Sequence, residues 1–179
     1  SMGFVPRGRE NGGQYNRGVI WSVLPTGLLG DGGRAFELCA WIKPVNRSVS
    51  KEAAARYCVE HNGIAADVYG APQHMGRGGW TWYTGSAGWM QRAGVESILG
   101  MRIHGKSLHI DPCIPMAWPG FEMTLRHGST RYEIQVDNSD GQGQGIKSAR
   151  LDGMILDERP LHVPLVDDGV THALRIWLG

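Results

Sequence analysis

The stretch Phe121-Glu-Met-Thr-Leu-Arg-His-Gly-Ser-Thr-Arg-Tyr-Glu-Ile-Gln-Val136 decides the fold of the second half of the chain. Apolar and polar residues alternate on both sides of a polar, glycine-containing turn. This period of two is typical of strands with one buried face, because successive side chains of a strand point to opposite faces. The stretch therefore predicts an antiparallel hairpin, whose buried residues are Phe121, Met123, Leu125, Tyr132, Ile134 and Val136.

The same alternation continues toward the C-terminus. Leu174, Ile176 and Leu178 form a last alternating strand, and the pairs Asp152-Gly153 and Asp168-Gly169 are turn signals between strands. The part of the chain after Gly100 is therefore predicted to be an antiparallel sheet.

The part before Gly100 has a helical pattern instead. Ser50 is the expected N-cap of the third helix, and Pro25 is expected to kink or shorten the first, because proline removes a backbone donor. Helices followed by strands predict an α+β fold with two structural units, residues 1–100 and 101–179. The four helices are predicted at about Tyr15–Leu29, Arg34–Ile42, Lys51–Val59 and Gly85–Leu99.

Composition excludes some classes of function. The 179 residues carry 18 Lys and Arg against 17 Asp and Glu, a net charge of +1 that gives no electrostatic reason to expect nucleic acid as a partner. No apolar run approaches the roughly 20 residues of a membrane-spanning helix, so the chain is not expected to span a bilayer. The 27 Gly and 7 Trp predict tight turns and many aromatic rings, which occur both in sugar-binding sites and in ordinary cores.

Cysteine and histidine usage predicts neither a disulfide framework nor a metal site. Cys39, Cys58 and Cys113 are odd in number and far apart, which fits a reducing compartment and predicts a cytoplasmic location. Cys58 and His61 form a C-x-x-H pair without the second pair that a closed zinc site needs. Five more histidines share no spacing and are predicted to be surface or packing residues: His104, His109, His127, His162 and His172.

The densest chemical stretch is Gly76-Arg-Gly-Gly-Trp-Thr-Trp-Tyr-Thr-Gly-Ser-Ala-Gly-Trp-Met90. It leads into a predicted helix start at Thr84-Gly85-Ser86, where unpaired N–H groups and the positive end of the helix dipole favour an anion. Gly85 allows close approach, and Arg77 offers a charge-assisted hydrogen bond. The alternative is that Thr84 or Ser86 simply caps the helix.

Five motifs together resemble the C-terminal end of cyclic β-1,2-glucan synthases, which belong with cellobiose and chitobiose phosphorylases in glycoside hydrolase family 94. The resemblance covers nearly the whole chain, and the Gly76–Met90 motif is long enough to be specific. The motifs are Glu10-Asn-Gly-Gly-Gln-Tyr15, Ala65-Ala-Asp-Val-Tyr69, Gly76–Met90, Asp111-Pro-Cys-Ile-Pro115 and Trp118-Pro-Gly-Phe-Glu122.

The resemblance implies a fold and a phosphate site. Residues 1–100 would be the last helices of an (α/α)6 barrel, and residues 101–179 a C-terminal jelly-roll-like β domain. The family cleaves a β-glucosidic bond with inorganic phosphate, so phosphate is the implied co-substrate and no other cofactor is expected. The resemblance places phosphate against Thr84 and Gly85. Arg17 stands where the family has a histidine contact to phosphate, and Arg47 also replaces an expected histidine; arginine binds phosphate but does not titrate near neutral pH.

The remaining site residues are those expected to contact a β-glucan or oligosaccharide: Trp80, Trp82, Arg77, Asp67 and Tyr69. No catalytic residue is expected, because the family's general-acid aspartate belongs to an earlier part of the barrel, and Asp67 is not assigned that role.

The leading hypothesis is thus a C-terminal fragment of a glucan synthase or glycoside phosphorylase, inactive alone, although whether the chain is itself an enzyme stays open. The expected partners are glucan, phosphate, the rest of the parent barrel and a second copy of the chain, and the parent is compatible with anchoring in a bacterial inner membrane. The alternative is a non-catalytic carbohydrate-binding or scaffolding protein.

Overall fold

The structure is a computed structural model that describes residues 6–8, 11–82 and 84–179, with the Thr84 side chain left outside that description. Glu10 and Tyr83, which belong to motifs quoted above, also lie outside it. The chain divides into two compact units. The first comprises Ser1–Pro25 and Ala35–Gly94, and the second Thr26–Arg34 and Val95–Gly179.

Helices and strands follow one another along the chain in the predicted general order, helices first and most strands later. Two short 3₁₀ helices lie at Pro44–Arg47 and Pro72–His74, and a π-helical segment at Ala93–Ile98. The elements are β1 (Gln14–Tyr15), α1 (Asn16–Leu28), α2 (Gly32–Ile42), α3 (Lys51–Tyr57), β2 (Asp67–Val68), β3 (Gly78–Gly79), α4 (Thr84–Arg92), β4 (Met101–His104), β5 (Ser107–Ile110), β6 (Gly120–His127), β7 (Thr130–Asp137), β8 (Ile146–Leu151), β9 (Met154–Ile155), β10 (Leu161–Pro164) and β11 (Thr171–Leu178).

The four predicted helices are present, with one local difference at Pro25. Ser50 caps α3 as predicted, its hydroxyl accepting a hydrogen bond from the Ala53 N–H at 3.2 Å. Pro25 does not end α1, which continues to Leu28. Proline at this position removes the donor that would reach the Trp21 carbonyl, but Pro25 lies on the exposed side of the helix, where the loss of one hydrogen bond does not end it.

A small antiparallel sheet, in the order β1-β2-β3, lies within the first unit. Asp67 sits in its central strand, opposite Tyr15 on one side and Gly79 on the other. Tyr57, Ala65 and Val68 are buried together beside this sheet. The Ala65–Tyr69 and Gly76–Met90 motifs are therefore hydrogen-bonded neighbours.

The second unit contains two sheets. One has three antiparallel strands in the order β10-β5-β4, and the other has five in the order β6-β7-β11-β8-β9. The predicted hairpin is confirmed: β6 and β7 pair antiparallel with Phe121 opposite Val136 and Leu125 opposite Tyr132. The β7 members of the apolar set are fully buried, whereas the β6 members are only half buried because β6 is the edge strand.

The expectation of a purely antiparallel sheet is wrong at one pairing. β11 runs parallel to β7, with Leu174 opposite Ile134 and Ile176 opposite Val136. Alternation predicts which face of a strand is buried but not the direction of its neighbour, since side chains have period two in both kinds of pairing. The α+β class stands. No helix in the described part of the chain combines the length and the apolar character needed to cross a membrane.

Candidate functional site

The start of α1 is fixed to the small sheet of the first unit by the side chain of Asn16. This buried amide donates from Nδ2 to the Ala65 carbonyl at 2.7 Å and accepts from Gln14 Nε2 at 3.2 Å. The Asn16 N–H also donates to the Ala66 carbonyl, and the Ala66 N–H donates in turn to the carbonyls of Gly79 and Trp80. These hydrogen bonds hold together three segments that are distant in sequence: Gln14–Asn16, Ala65–Ala66 and Gly79–Trp80.

Arg17, the next residue of α1, lies beside the first turn of α4. Its Nη2 would be 3.2 Å from a Cβ placed on Gly85, so the glycine provides the room for the guanidinium. The Nε atom of Arg17 is buried and has no hydrogen-bond partner among the described residues. A cation whose Nε has no partner among the described residues thus stands next to N–H groups that have no acceptor within their own helix, where positive partial charge accumulates.

The other two residues of the predicted turn differ in how they are presented. Thr84 begins α4, but its side chain lies outside the described residues. Gly85 is exposed, whereas Ser86 is only 1% exposed. The Ser86 side chain is therefore closed to solvent, and what this turn offers solvent is Gly85.

Asp67 and Tyr69 converge on Gly79 in the neighbouring strand. A Cβ on Gly79 would lie 2.6 Å from the Tyr69 hydroxyl and 2.7 Å from Asp67 Oδ1, closer than any side chain tolerates. Asp67 is completely buried, which places its carboxylate inside the unit and away from solvent. Glycine at position 79 is thus required by the approach of two polar side chains.

A cavity of about 490 Å³ opens beside this cluster. Among the residues predicted to contact sugar, Tyr69, Arg77 and Trp80 line it, and Gly79 forms part of its wall. Trp82 does not line it, and Asp67 is buried behind Gly79. The other lining residues are Gly8, Cys58, Val59, His74, Gly78 and Thr81.

Trp80 and Trp82 are both held out from the first unit by an unusual backbone. Their φ angles are 57° and 60°, in the left-handed region that bulky residues rarely adopt. Their side chains are 60% and 74% exposed. Strained backbone of this kind tends to occur at functional sites, and here it presents two indoles to solvent.

Arg47 is a structural anchor in this unit. Its Nη2 donates to Gln14 Oε1 at 3.0 Å and to the Trp41 carbonyl at 2.7 Å. Burial lowers the pKa of Arg47, an effect partly offset by the nearby Tyr57 hydroxyl. The hydrogen bonds of Arg47 thus tie the 3₁₀ turn to β1 and to α2.

A cluster of three histidines in the second unit was not apparent from sequence spacing. The imidazoles of His104, His109 and His162 lie next to one another across β4, β5 and β10. The His104 ring meets that of His109 edge to face, with centroids 4.8 Å apart, and the His109 and His162 rings are tilted against each other at 4.0 Å. Partial desolvation lowers the pKa of His109, and the neighbouring His162 lowers it further. The register of paired strands creates this contact, so no linear spacing reveals it. Within the described residues, no three His, Cys, Asp or Glu side chains are arranged to hold a metal ion.

His172 lies between two carboxylates. Its Nδ1 is 2.7 Å from Asp152 Oδ2 and its Nε2 is 3.1 Å from Asp168 Oδ2. The hydrogen bond to Asp152 is the largest cause that raises the pKa of His172, followed among the raising effects by the bond to Asp168. The imidazole also stacks on Tyr132, with ring centroids 5.2 Å apart. This arrangement clamps the start of β11 to two turns of the same unit.

Comparison with known proteins gives a consistent family. Residues 2–100 match the model of the glycosyl hydrolase 94 superfamily, catalytic domain, and residues 101–141 match that of the glycosyl hydrolase family 65, C-terminal domain. The cyclic beta-(1,2)-glucan synthase NdvB of Rhizobium meliloti (strain 1021) is 42% identical over 145 residues, which cover 81% of this chain and 5% of that protein.

Two further relatives are phosphorylases. The N,N'-diacetylchitobiose phosphorylase of Vibrio proteolyticus is 34% identical over 184 residues, covering 99% of this chain and 22% of the relative. The solabiose phosphorylase of Paenibacillus borealis is 29% identical, with 97% and 22% covered. The chain therefore spans less than a quarter of the length of these relatives, and the resemblance seen in its motifs is confirmed. Since the catalytic-domain model matches more than half of its residues, the chain belongs to the glycosyl hydrolase 94 superfamily.

Proposed function

We propose that this chain is the C-terminal part of a cyclic β-glucan synthase or glycoside phosphorylase, and that it contributes phosphate and glucan binding to the parent enzyme. Residues 1–100 would be the last helices of an (α/α)6 barrel, and residues 101–179 a jelly-roll-like domain. The proposal is supported by the two family matches and by relatives that are several times longer than the chain.

The phosphate site would be the first turn of α4 together with Arg17. The observation that carries this proposal is the guanidinium of Arg17 beside Gly85, with a buried Nε that has no partner among the described residues. A phosphate at this turn would accept hydrogen bonds from the Gly85 N–H and from Arg17, and the helix dipole would favour its charge. Thr84 would add its hydroxyl.

The sugar would lie against the cavity lined by Tyr69, Arg77 and Trp80. This cavity combines an exposed indole, a phenol and a guanidinium, which together offer an apolar face and several hydrogen-bond donors. Trp82 would extend the aromatic surface, and Asp67 would support the wall of the cavity from behind Gly79.

The isolated chain would have no phosphorolytic activity. General acid catalysis needs a carboxylic acid within hydrogen-bond reach of the leaving oxygen. Asp67 is completely buried in β2, so its position supports a role in building the site and not in protonating a glycosidic oxygen. The parent barrel would supply that acid.

The three cysteines are free thiols, which supports a cytoplasmic location for this part of the parent.

The parent barrel is also the partner that would cover the apolar side chains left exposed in the first unit. Trp21, Trp41, Val45 and Val49 are between 48% and 78% exposed. Large apolar side chains that stay exposed favour association when they form a contiguous patch. Without the barrel, a second copy of the chain would take its place, so concentration-dependent dimerisation is expected.

A second candidate is a non-catalytic carbohydrate-binding protein, favoured by the outward display of Trp80 and Trp82. The two candidates differ in what they require of Arg17. The first needs it for phosphate, and the second does not need it at all. A measurement of phosphate affinity with and without the Arg17 side chain therefore distinguishes the two candidates.

The experiment compares phosphate binding by the 179-residue chain with that of Arg17→Ala and Arg126→Ala. Arg126 is an exposed arginine of β6 in the second unit, so its removal is a matched loss of one charge from outside the first unit. Hydrogen bonds to charged groups contribute about 1.5–3 kcal/mol, so Arg17→Ala is expected to weaken phosphate binding about tenfold or more, and Arg126→Ala to leave it unchanged. If the two variants bind phosphate with equal affinity, and circular dichroism shows that both are still folded, Arg17 is not part of a phosphate site. Carbohydrate binding without catalysis is then the function that the structure supports.

A further inference from the structure

The outer face of the five-stranded sheet in the second unit carries a tryptophan among polar residues. On β11, Ile176 and Leu178 are buried, so Trp177 stands on the opposite face of the strand. Trp177 is opposite Asp137 of β7 and Ser148 of β8, which puts it in the central strand of the sheet, near the C-terminal ends of β7 and β11. It is half buried, so one part of the indole packs on the sheet and the rest is open.

Two cavities lie on this face. One of about 510 Å³ surrounds Trp177 and is lined by Asp137, Asp140, Lys147, Ser148 and Arg150. The other, of about 290 Å³, is lined by Glu122, Arg131, Glu133, Gln135 and Arg175. Because Arg175 and Trp177 are successive outward residues of β11, the two cavities are neighbours along that strand. We call them together the Trp177 groove.

The charges of the Trp177 groove are balanced. Two carboxylates and two cations line each cavity, so neither an anion nor a cation is selected. Lys147 Nζ lies 2.6 Å from Asp140 Oδ2, and Arg131 Nη2 lies 3.1 Å from Glu133 Oε1, in pairs that remain about half exposed. Exposed ion pairs are weak, so their donors and acceptors can turn to a ligand at little cost. A neutral ligand with many hydroxyl groups fits this surface.

A pyranose ring matches both parts of the groove. Its C–H groups can lie on the indole face, whose quadrupole is negative, and its hydroxyls can donate to carboxylates and accept from guanidinium or ammonium groups. We propose that the Trp177 groove is an oligosaccharide-binding site, separate from the phosphate site of the first unit, that takes a neutral β-linked glucan chain. The choice of a β-glucan as the sugar rests on the proposed function, whereas the groove itself does not depend on Arg17 or Gly85.

The test is an NMR titration of the 179-residue chain in phosphate-free buffer with a linear β-1,2-linked glucotetraose. Sorbitol at the same concentration of hydroxyl groups is the control for unspecific effects of a polyol. The expected result is a saturable shift of the Trp177 indole N–H and of amides in β7, β8 and β11. Shifts that match those of sorbitol, or that are confined to Trp80 and Trp82, would overturn the proposal.

Variants make the test independent of the phosphate site. Trp177→Ala is expected to weaken binding of the tetraose about tenfold or more, because the indole would provide most of the apolar contact area with the sugar. Trp177→Phe retains an aromatic ring, so its affinity for the tetraose is expected to lie between those of the unmodified chain and Trp177→Ala. This variant keeps the test decisive if the alanine variant does not fold. Trp41→Ala, which removes a half-exposed indole of α2, is expected to have no effect.

Arg17→Ala is the variant that separates the two proposals. It is expected to lose phosphate binding while it keeps the affinity for the tetraose at the groove. Groove affinity that survives in Trp177→Ala and Trp177→Phe alike would contradict the inference, whatever the phosphate result.

Discussion

The Tyr69 hydroxyl approaches Gly79 so closely that a Cβ at position 79 would lie 2.6 Å from it. Asp67 Oδ1 approaches the same point to 2.7 Å. Asp67 and Gly79 are register partners in the small sheet of the first unit. Because Gly79 has no side chain, the polar groups of Asp67 and Tyr69 can approach the wall of the cavity at this point.

Gly79→Ala is therefore expected to destabilise the chain. The added methyl would force the Tyr69 hydroxyl and the Asp67 carboxylate apart, and overpacking of this kind costs about 1–3 kcal/mol. Urea denaturation measures the loss. The matched control is Gly63→Ala, where the nearest atoms would be 3.9 Å away and little change is expected. A Gly79→Ala variant as stable as Gly63→Ala would refute the close packing described here.

Gly85→Ala separates binding from stability. The new methyl would lie 3.2 Å from Arg17 Nη2, at the end of a flexible side chain that can move, so the fold is expected to survive while phosphate binding weakens. Gly88→Ala in the same helix meets nothing within 4 Å. It is expected to keep phosphate binding and to gain up to about 1 kcal/mol of stability from helix propensity. Calorimetric titration and thermal unfolding of both variants check this contrast.

The His172 clamp predicts how stability depends on pH. The pKa of His172 is raised, first by the hydrogen bond to Asp152, so the contribution of its charged form is fully present below about pH 6.5 and is lost as pH rises through the raised value. The pKa of Asp152 is lowered, first by its hydrogen bond to His172, so its contribution is present above about pH 3.9 and is lost as pH falls. Stability is expected to be highest between these limits.

Urea unfolding at a series of pH values measures the dependence. His172→Asn is expected to flatten the decline on the alkaline side, because it removes the group that titrates. His61→Gln, which changes an exposed histidine of the first unit, serves as the control and is expected to leave the profile unchanged. An alkaline decline of equal slope in His172→Asn would show that the clamp does not cause it.

Leucine-to-alanine substitutions in the five-stranded sheet are expected to lower the free energy of unfolding by different amounts, according to how deeply each leucine is buried. Leu174 on β11 is 0% exposed, so Leu174→Ala is expected to cost about 2–5 kcal/mol. Leu125, on the edge strand β6, is only half buried, so Leu125→Ala is expected to cost less. Denaturant midpoints of the two variants test the order, and a larger loss at Leu125 would contradict the topology in which β6 is an edge.

Local patterns predicted much of the fold because they depend on neighbours in sequence. The cap of α3 at Ser50 and the antiparallel β6–β7 hairpin are of this kind. The parallel partner of β11 was missed, since alternation is the same in either direction. Helix α1 was expected to be affected by Pro25, but a donor lost on an exposed side did not end it.

The site depended on contacts that no local pattern contains. Arg17 and Gly85 are far apart in sequence, and only the resemblance suggested that they belong to one site. The contacts of the His109 ring with its neighbours and the position of Trp177 in the wall of a cavity follow from strand register, which sequence spacing does not reveal. The burial of Ser86 was also not predicted, because a serine in a first turn is equally compatible with either face of the helix.

The most direct test of the phosphate site is a ¹⁵N chemical-shift titration of the unmodified chain with sodium phosphate, with sodium chloride at matched ionic strength as the reference. Saturable shifts of the Gly85 and Ser86 amides and of the Arg17 Nε–H, absent in chloride, are the result that the proposal predicts. If those signals stay unchanged at tens of millimolar phosphate while amides elsewhere on the surface shift, the first turn of α4 does not bind phosphate and the central claim is wrong.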